Sequence, residues 1–412
     1  MMYSKCMLNV RQLDETHLAQ GSSFTPPASG LPVLRLGFRP FYLGGAIFGA
    51  LTLLVWLGAL HGIATAGRIP SASGILWHAH EMVFGFAAAI VAGFLLTAVR
   101  AWTSAETPHG MPLALLWLLW LAGRIVMWLG PEPLAAIVDS AFLPVLAIAL
   151  LRVLLRARNR RNLFVPVALG ALTLTNILFH ECVLRGRVDL ALRINYAAVG
   201  LLITLVTIIA GRVVPMFTSN AVPGYTFKRW QWVEALALPL PLLTFVLDAA
   251  GASTGFIGIA AGATAGVHAF RLAGWRSWRV GQRPILAILH VAYAFIPIGF
   301  ALLALSAVGW VPHSIALHAL TVGALGGAII AMITRTALGH TGRMLVAGRA
   351  EIACYCLVIA AAVLRVFGPL LLIRWRAGWV DAAGLCWCVA FALYAYQYWP
   401  YLTRPRADGK AG

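Results

Sequence analysis

The sequence predicts an all-α protein that crosses a membrane about twelve times. Of its 412 residues, 61% are hydrophobic and only 11% are charged, whereas soluble proteins average about 25% charged residues. About twelve apolar stretches approach the length of roughly 20 residues that a helix needs to cross the hydrocarbon core. These stretches have to be helical because, in lipid, every backbone amide must find its hydrogen-bond partner within the segment.

The predicted helices, numbered 1 to 12 in chain order, form a single membrane domain over residues 36–403. Their approximate spans are 40–60, 76–99, 111–129, 133–153, 163–182, 194–214, 231–249, 252–272, 284–308, 311–334, 350–369 and 378–400. Residues 1–35 are polar and are expected to be a flexible tail. Residues 404–412 form a short basic tail.

The net charge of +18 is explained by membrane topology. Arginines are concentrated in residues 152–161 and 271–283, which lie on one side of the membrane if the helices alternate in direction. The positive-inside rule places this side, and with it both termini, in the cytoplasm. The charge distribution therefore argues against a nucleic-acid partner, and membrane lipid is the expected surrounding.

Helices 2, 6 and 10 share a pattern that suggests an internal repeat. In each, a polar residue is followed five positions later by glycine, and eighteen positions after that by threonine. The three sets are His80, Gly85 and Thr103; Asn195, Gly200 and Thr218; and His318, Gly323 and Thr341. This spacing predicts three four-helix pseudo-repeats with helices 2, 6 and 10 in equivalent central places. The alternative is that long membrane helices resemble one another by chance.

Ionisable residues collect in the outer half of the predicted bundle. Each costs roughly 2.5–3.5 kcal/mol at the centre of a membrane helix, so such residues usually have a function. They are His78, His80, Glu81, Arg124, His180, His313, His318 and Arg365. His80 and His318 share the repeat register, and imidazoles are common axial ligands of haem iron. We therefore expect these two to bind a haem, with Arg124 either holding a propionate or pairing with Glu81.

His78 presents a separate question, because it lies about 200° around the helix from His80. The two side chains cannot bind one metal ion if the helix is regular. With His180 or His313, His78 is a candidate copper site, since imidazole suits copper. The alternative is that His78, beside Trp77, anchors the helix at the membrane interface.

A second polar group is predicted on the inner side. Arg212 and Arg335 occupy equivalent positions near the ends of helices 6 and 10, and His340 follows Arg335 closely. Together these three residues could gather an anion. The alternative is that the arginines simply mark the inner surface.

Several of these segments resemble the NnrS family of bacterial membrane proteins. The matching stretches are Leu36-Gly37-Phe38-Arg39-Pro40-Phe41, Trp77-His78-Ala79-His80-Glu81-Met82, Gly211-Arg212-Val213-Val214-Pro215-Met216-Phe217-Thr218-Ser219-Asn220 and Leu338-Gly339-His340-Thr341-Gly342-Arg343. The resemblance implies a haem b and copper protein of the bacterial cytoplasmic membrane, linked to denitrification and to tolerance of nitric oxide.

The repeat pattern also resembles the architecture of haem–copper oxidases. However, the chain lacks their adjacent histidine pair and their His-Pro-Glu-Val-Tyr segment, and Asn195 stands where a third repeat histidine would be. We therefore do not expect a terminal oxidase.

Two functions follow from these expectations. The first is a haem protein, with copper as a second metal, that binds, senses or detoxifies nitric oxide. Whether it is an oxidoreductase stays open, because the sequence shows no motif for an electron donor. The alternative is a transporter of a small solute or metal complex, with the inner and outer polar groups at the two ends of its path.

Overall fold

The computed structural model describes residues 30–63 and 74–410, and the regular elements in these residues are all helical. Twelve of the helices are long and apolar enough to cross a membrane, as predicted. We number them α1 to α12 in chain order. They are α1 Phe38–Leu60, α2 Gly74–Thr103, α3 Met111–Leu129, α4 Glu132–Arg156, α5 Phe164–Leu184, α6 Val188–Ala221, α7 Gln231–Ala250, α8 Thr254–Gly274, α9 Pro284–Ala307, α10 His313–His340, α11 Arg349–Leu371 and α12 Arg376–Thr403. Most of the predicted tail, residues 1–29, lies outside the described residues, as do residues 411–412.

The first and last helices close the bundle into a ring. α1 packs along α12, so α1 begins and α12 ends at the same end of the bundle, which we call the terminal face. The other end is the opposite face. The buried Arg39 guanidinium donates hydrogen bonds to the carbonyls of Leu402 (3.1 Å) and Arg404 (2.8 Å). It thereby satisfies carbonyl groups that the end of α12 leaves without helical partners.

Three helices occupy the centre, as the repeat pattern predicts. α2, α6 and α10 contact one another in pairs. Their apolar windows are 78%, 61% and 72% buried, and α9 is the other strongly buried helix at 67%. The prediction that helices 2, 6 and 10 are central is therefore confirmed.

The repeat-equivalent residues make equivalent contacts. A Cβ atom on any of the three pattern glycines would collide with a phenylalanine ring from a neighbouring helix. The facing pairs are Gly85 and Phe48, Gly200 and Phe245, and Gly323 and Phe295. Each pattern threonine donates its hydroxyl to the carbonyl four residues earlier, at 2.6 Å for Thr103, 2.8 Å for Thr218 and 2.6 Å for Thr341. These glycines allow close helix packing, which membrane helices commonly achieve with small residues.

Two of the central helices contain a wide π-helical turn at equivalent positions. The turn runs over Glu81–Ala87 in α2 and over Ala319–Gly326 in α10, directly after His80 and His318. Trp120 donates a hydrogen bond of 2.9 Å to the carbonyl of Gly85 within the first of these turns. π-Turns are rare and occur often at functional sites, because they redirect the side chains around them.

Candidate functional site

His80 lies in a fully buried polar environment rather than in an open cavity. Its Nδ1 atom is 3.1 Å from Oε1 of Glu81. Its Nε2 atom is 2.9 Å from Oδ1 of Asn176 and 3.2 Å from Oδ2 of Asp139. Both ring nitrogens are therefore already engaged by oxygen atoms of neighbouring side chains.

Four helices contribute to this network, which we call the ionic cluster. Its members are His80 and Glu81 of α2, Arg124 of α3, Asp139 of α4, and Asn176 and His180 of α5, and all six are buried. Arg124 donates to Glu81 at 2.7 Å and also pairs with Asp139. Oδ2 of Asp139 accepts hydrogen bonds from Asn176 (2.8 Å) and His180 (2.9 Å). The predicted alternative that Arg124 pairs with Glu81 is confirmed.

The hydrogen bonds indicate how charge is balanced in the ionic cluster. Asn176 uses its NH₂ group on Asp139, so its carbonyl oxygen faces His80. The ring of His80 thus has an oxygen atom beside each of its nitrogens. The carboxylates of Glu81 and Asp139 both pair with the guanidinium of Arg124. Such pairing is what makes buried charge tolerable in an apolar interior.

This arrangement fits a metal ion poorly. One ligand atom each from His80, Asp139 and His180 lie within 4.8 Å of one another, which is close enough for a shared ion. However, each of these atoms already takes part in a hydrogen bond of the cluster. A metal cation would also lie close to Arg124, which pairs with Asp139. We therefore derive no metal chemistry from the ionic cluster.

A separate cavity of about 200 Å³ opens between the three central helices, toward the opposite face. We call it the histidine cavity, because His78 of α2 and His318 of α10 both line it. Arg365 of α11 also lines it. Most of the remaining wall is apolar or aromatic, and includes Leu53, Trp56, Met82, Phe86, Leu317, Leu325 and Trp387.

The two histidines of the cavity are held differently. Nδ1 of His318 lies 2.5 Å from the carbonyl oxygen of Ser314, so it must carry the proton and donate. Nε2 of His318 is then the nitrogen with a free lone pair, as in most metal-bound histidines. His78 stacks on Trp56 with ring centroids 4.1 Å apart. Its buried Nδ1 atom has no hydrogen-bond partner among the described residues.

Arg365 gives the cavity an electrostatic preference. The residues that line the cavity include no aspartate or glutamate, so no carboxylate in the wall neutralises this guanidinium. A cation in mostly apolar surroundings favours an anionic group of a ligand, and guanidinium binds carboxylates in a forked geometry. The cavity therefore combines two imidazoles, a cation and apolar walls.

The predicted pairing of His80 with His318 needs correction. His318 lines the histidine cavity with α11, α12 and α1, whereas His80 faces α3, α4 and α5. The repeat register of the two residues is correct, since a π-turn follows each of them. In a threefold arrangement, rotation about the central axis relates the equivalent positions to one another. Side chains at equivalent positions therefore point into different compartments of the bundle. His78, on the other side of α2, is the residue that joins His318.

The other predicted groupings are also separated. His180 belongs to the ionic cluster, and His313 binds the carboxylate of Asp248 at 3.0 Å. Neither residue lines the histidine cavity with His78, so the expected copper pairs are not assembled.

The inner group near the terminal face is likewise not gathered at one point. Arg212 donates to Asn162 at 3.3 Å, and the guanidinium of Arg335 lies 3.8 Å from the ring centre of Phe217. The ring of His340 packs against Phe38, with centroids 5.7 Å apart.

Sequence reasoning missed two sets of buried polar residues. Asn176 could have been found from its spacing, because it lies four residues before His180 on the same face of α5. The second set joins Arg271 to Glu234 by two hydrogen bonds of 2.7 and 2.9 Å. Tyr293 bridges Arg271 and His268 there. No motif links these positions, which come from α7, α8 and α9.

These features define a multi-pass helical membrane protein with a buried ionic cluster beside an apolar cavity that contains two imidazoles. A family model described as NnrS protein matches residues 32–406, which is nearly the whole chain. The chain therefore belongs to the NnrS family, as its motifs predict. A comparison with curated proteins found no match.

Proposed function

We propose that this protein binds haem in the histidine cavity and binds nitric oxide there, in order to sense or remove it. The observation that carries the proposal is the free Nε2 lone pair of His318 in an apolar cavity that also contains Arg365. Family membership supports the role in the nitric oxide response.

The residues present fit a haem. His318 supplies an imidazole oriented by its own backbone, and Arg365 supplies a cation for a propionate. The flat rings of Trp56, Phe86 and Trp387 and the aliphatic walls suit a macrocycle. When bound, haem supplies an iron that coordinates nitric oxide.

The remaining residues control what reaches this site. Apolar walls exclude water and admit an apolar gas, which can enter from the bilayer. The Nδ1 atom of His78 is buried beside the cavity and has no hydrogen-bond partner in the described part of the chain. His318 would hold the haem iron through Nε2, because its other nitrogen is anchored to the carbonyl of Ser314, and His78 would lie beside it in the cavity wall.

Two further elements of the proposal concern topology and copper. With both termini in a bacterial cytoplasm, the histidine cavity lies in the outer half of the cytoplasmic membrane. Copper stays a prediction from the family resemblance, and the residues predicted for it lie in separate places. The transporter alternative gains no support, because the histidine cavity does not reach Arg212, Arg335 or His340.

An absorption spectrum of the purified protein tests the proposal. We expect a Soret band that shifts when nitric oxide is added, and that is lost in His318→Ala. The control is His313→Ala, which removes a histidine at the opposite face that does not line the cavity. A protein without haem after expression in haem-replete cells, or a His318→Ala variant with an unchanged spectrum, would contradict the proposal.

A further inference from the structure

A second cavity of about 80 Å³ lies on the central axis, on the terminal-face side of the histidine cavity. We call it the lower cavity. The three central helices and α9 supply most of its wall. The lining residues are Tyr42, Ile90, Val91, Phe94, Leu202, Leu205, Val206, Ile209, Ala210, Val213, Val214, Leu289, Tyr293, Leu325, Ala328, Ile329 and Met332.

The two cavities are direct neighbours. Leu325 of α10 lines both of them. On α2, Phe86 lines the histidine cavity and Ile90 lines the lower one, and these residues are about one helical turn apart. A single layer of side chains therefore separates the histidine cavity from the lower cavity, and Leu325 belongs to that layer.

The lower cavity offers few partners to a polar ligand, because the Tyr42 hydroxyl, which has no hydrogen-bond partner among the described residues, has almost no accessible surface. Its lining residues are aliphatic or aromatic, and the two tyrosines carry its only side-chain polar atoms. The hydroxyl of Tyr293 is already engaged by His268 (2.7 Å) and Arg271 (3.2 Å). An ordered water needs two to four polar partners, and apolar cavities of this kind stay dry and take up apolar atoms such as xenon.

Small side chains keep the space open. Ala210 of α6 and Ala328 of α10 both line the lower cavity, where a leucine would project three more carbon atoms into it. Protein interiors are normally packed closely, so a partly open apolar space between these helices leaves room for a small apolar molecule. An occupant that enters and leaves offers a physical reason for the space.

We infer that the lower cavity is a binding site for a small apolar gas of diatomic size, which exchanges with the histidine cavity past Leu325. The identity of the gas as nitric oxide rests on the proposed function, whereas the site itself does not. The gas would be held beside the haem without coordinating it, so that a molecule released from the iron is retained nearby.

Xenon tests the site without any need for haem. Crystals of the wild-type protein under xenon pressure should show an anomalous peak in the lower cavity. Ala328→Leu should lose this peak, and Ala210→Leu, on a different helix, serves as a second filling variant. The matched control is Ala301→Leu, because Ala301 is exposed on the outside of α9. Absence of xenon from the wild-type cavity overturns the inference.

Rebinding of nitric oxide after photolysis tests the exchange. We expect the wild type and Ala301→Leu to show a slow phase from molecules held in the lower cavity, and Ala328→Leu to lose that phase. An unchanged time course in Ala328→Leu overturns the exchange between the cavities. Xenon binding in a protein that contains no haem would support the site while contradicting the proposed function, so the two failures are distinguishable.

Discussion

Hydrogen-bond partners, rather than position in the sequence, decide what each histidine of α2 and α10 can do. His80 meets oxygen atoms at both nitrogens, so both nitrogens are already engaged within the ionic cluster. Nδ1 of His318 donates to the backbone carbonyl of Ser314 in the same helix, and Nε2 keeps its lone pair. The sequence predicts that His78 and His80 lie on opposite faces of one helix. It could not predict which face meets His318, because that depends on the packing of α3, α4 and α5.

Arg365 should contribute strongly to haem retention. Arg365→Met keeps much of the side-chain volume but removes the charge that faces the cavity. Loss of one charge-assisted contact to a propionate is expected to weaken haem binding by about tenfold. The rate of haem transfer to an apo-globin acceptor measures this loss of haem affinity. Arg374→Met is the matched control, because Arg374 is exposed at the opposite face. Equal transfer rates in the two variants would remove Arg365 from the proposed site.

Helices α2 and α10 each begin with a short α-helical segment that ends at a π-turn. The turns begin directly after His80 of the ionic cluster and His318 of the histidine cavity, so both side chains lie where the helices change pitch. The spacing of the repeat residues was predicted from the sequence, but the turns were not. A π-turn has no distinctive residue pattern here, and its cost is offset by tertiary contacts such as the hydrogen bond from Trp120 to Gly85.

The ionic cluster should be essential for the stability of the first four-helix unit and its contact with α5. Arg124→Met leaves the carboxylates of Glu81 and Asp139 without their guanidinium. Removal of one partner from a buried ion network typically costs about 3–5 kcal/mol. We expect a clear fall in the midpoint of thermal unfolding of the detergent-purified protein, which is monitored by intrinsic fluorescence.

The control for this prediction is Arg185→Met, which breaks an exposed ion pair with Glu181. Exposed pairs contribute about 0–1 kcal/mol, so its midpoint should stay near that of the wild type. The triple variant E81Q/R124M/D139N removes the unbalanced charges and should recover part of the loss. Equal midpoints for Arg124→Met and Arg185→Met would show that the cluster does not stabilise the fold.

At the scale of the whole molecule, apolar length alone predicts the twelve helices. The predicted spans end early where helices project toward the terminal face. Helix 6, predicted to end at 214, continues to Ala221, and helix 10, predicted to end at 334, continues to His340. Polar residues fill these last turns, so an apolar window cannot detect them. The closure of the ring by Arg39 and the grouping of residues from distant helices could not be predicted, because they depend on tertiary packing.

The predicted orientation can be tested on the whole chain. If both termini are cytoplasmic, green fluorescent protein fused after residue 412 should fluoresce in a bacterial host. Alkaline phosphatase fused after Gly186, in the turn between α5 and α6 at the opposite face, should be active. The arginine-rich segments near α4 and α8 supply the physical reason, since positive loops are retained in the cytoplasm. The reverse pattern of reporter activity would invert the proposed placement of the histidine cavity.

Chemical rescue of a glycine variant tests whether His318 holds the haem. His318→Gly removes the imidazole that would hold the haem and leaves a space of its shape in the wall of the histidine cavity. We predict that the purified variant lacks the Soret band of the wild type, and that added imidazole restores haem binding and the spectral response to nitric oxide. A variant that binds haem with an unchanged spectrum in the absence of imidazole would contradict the assignment of His318 as the residue that holds the haem.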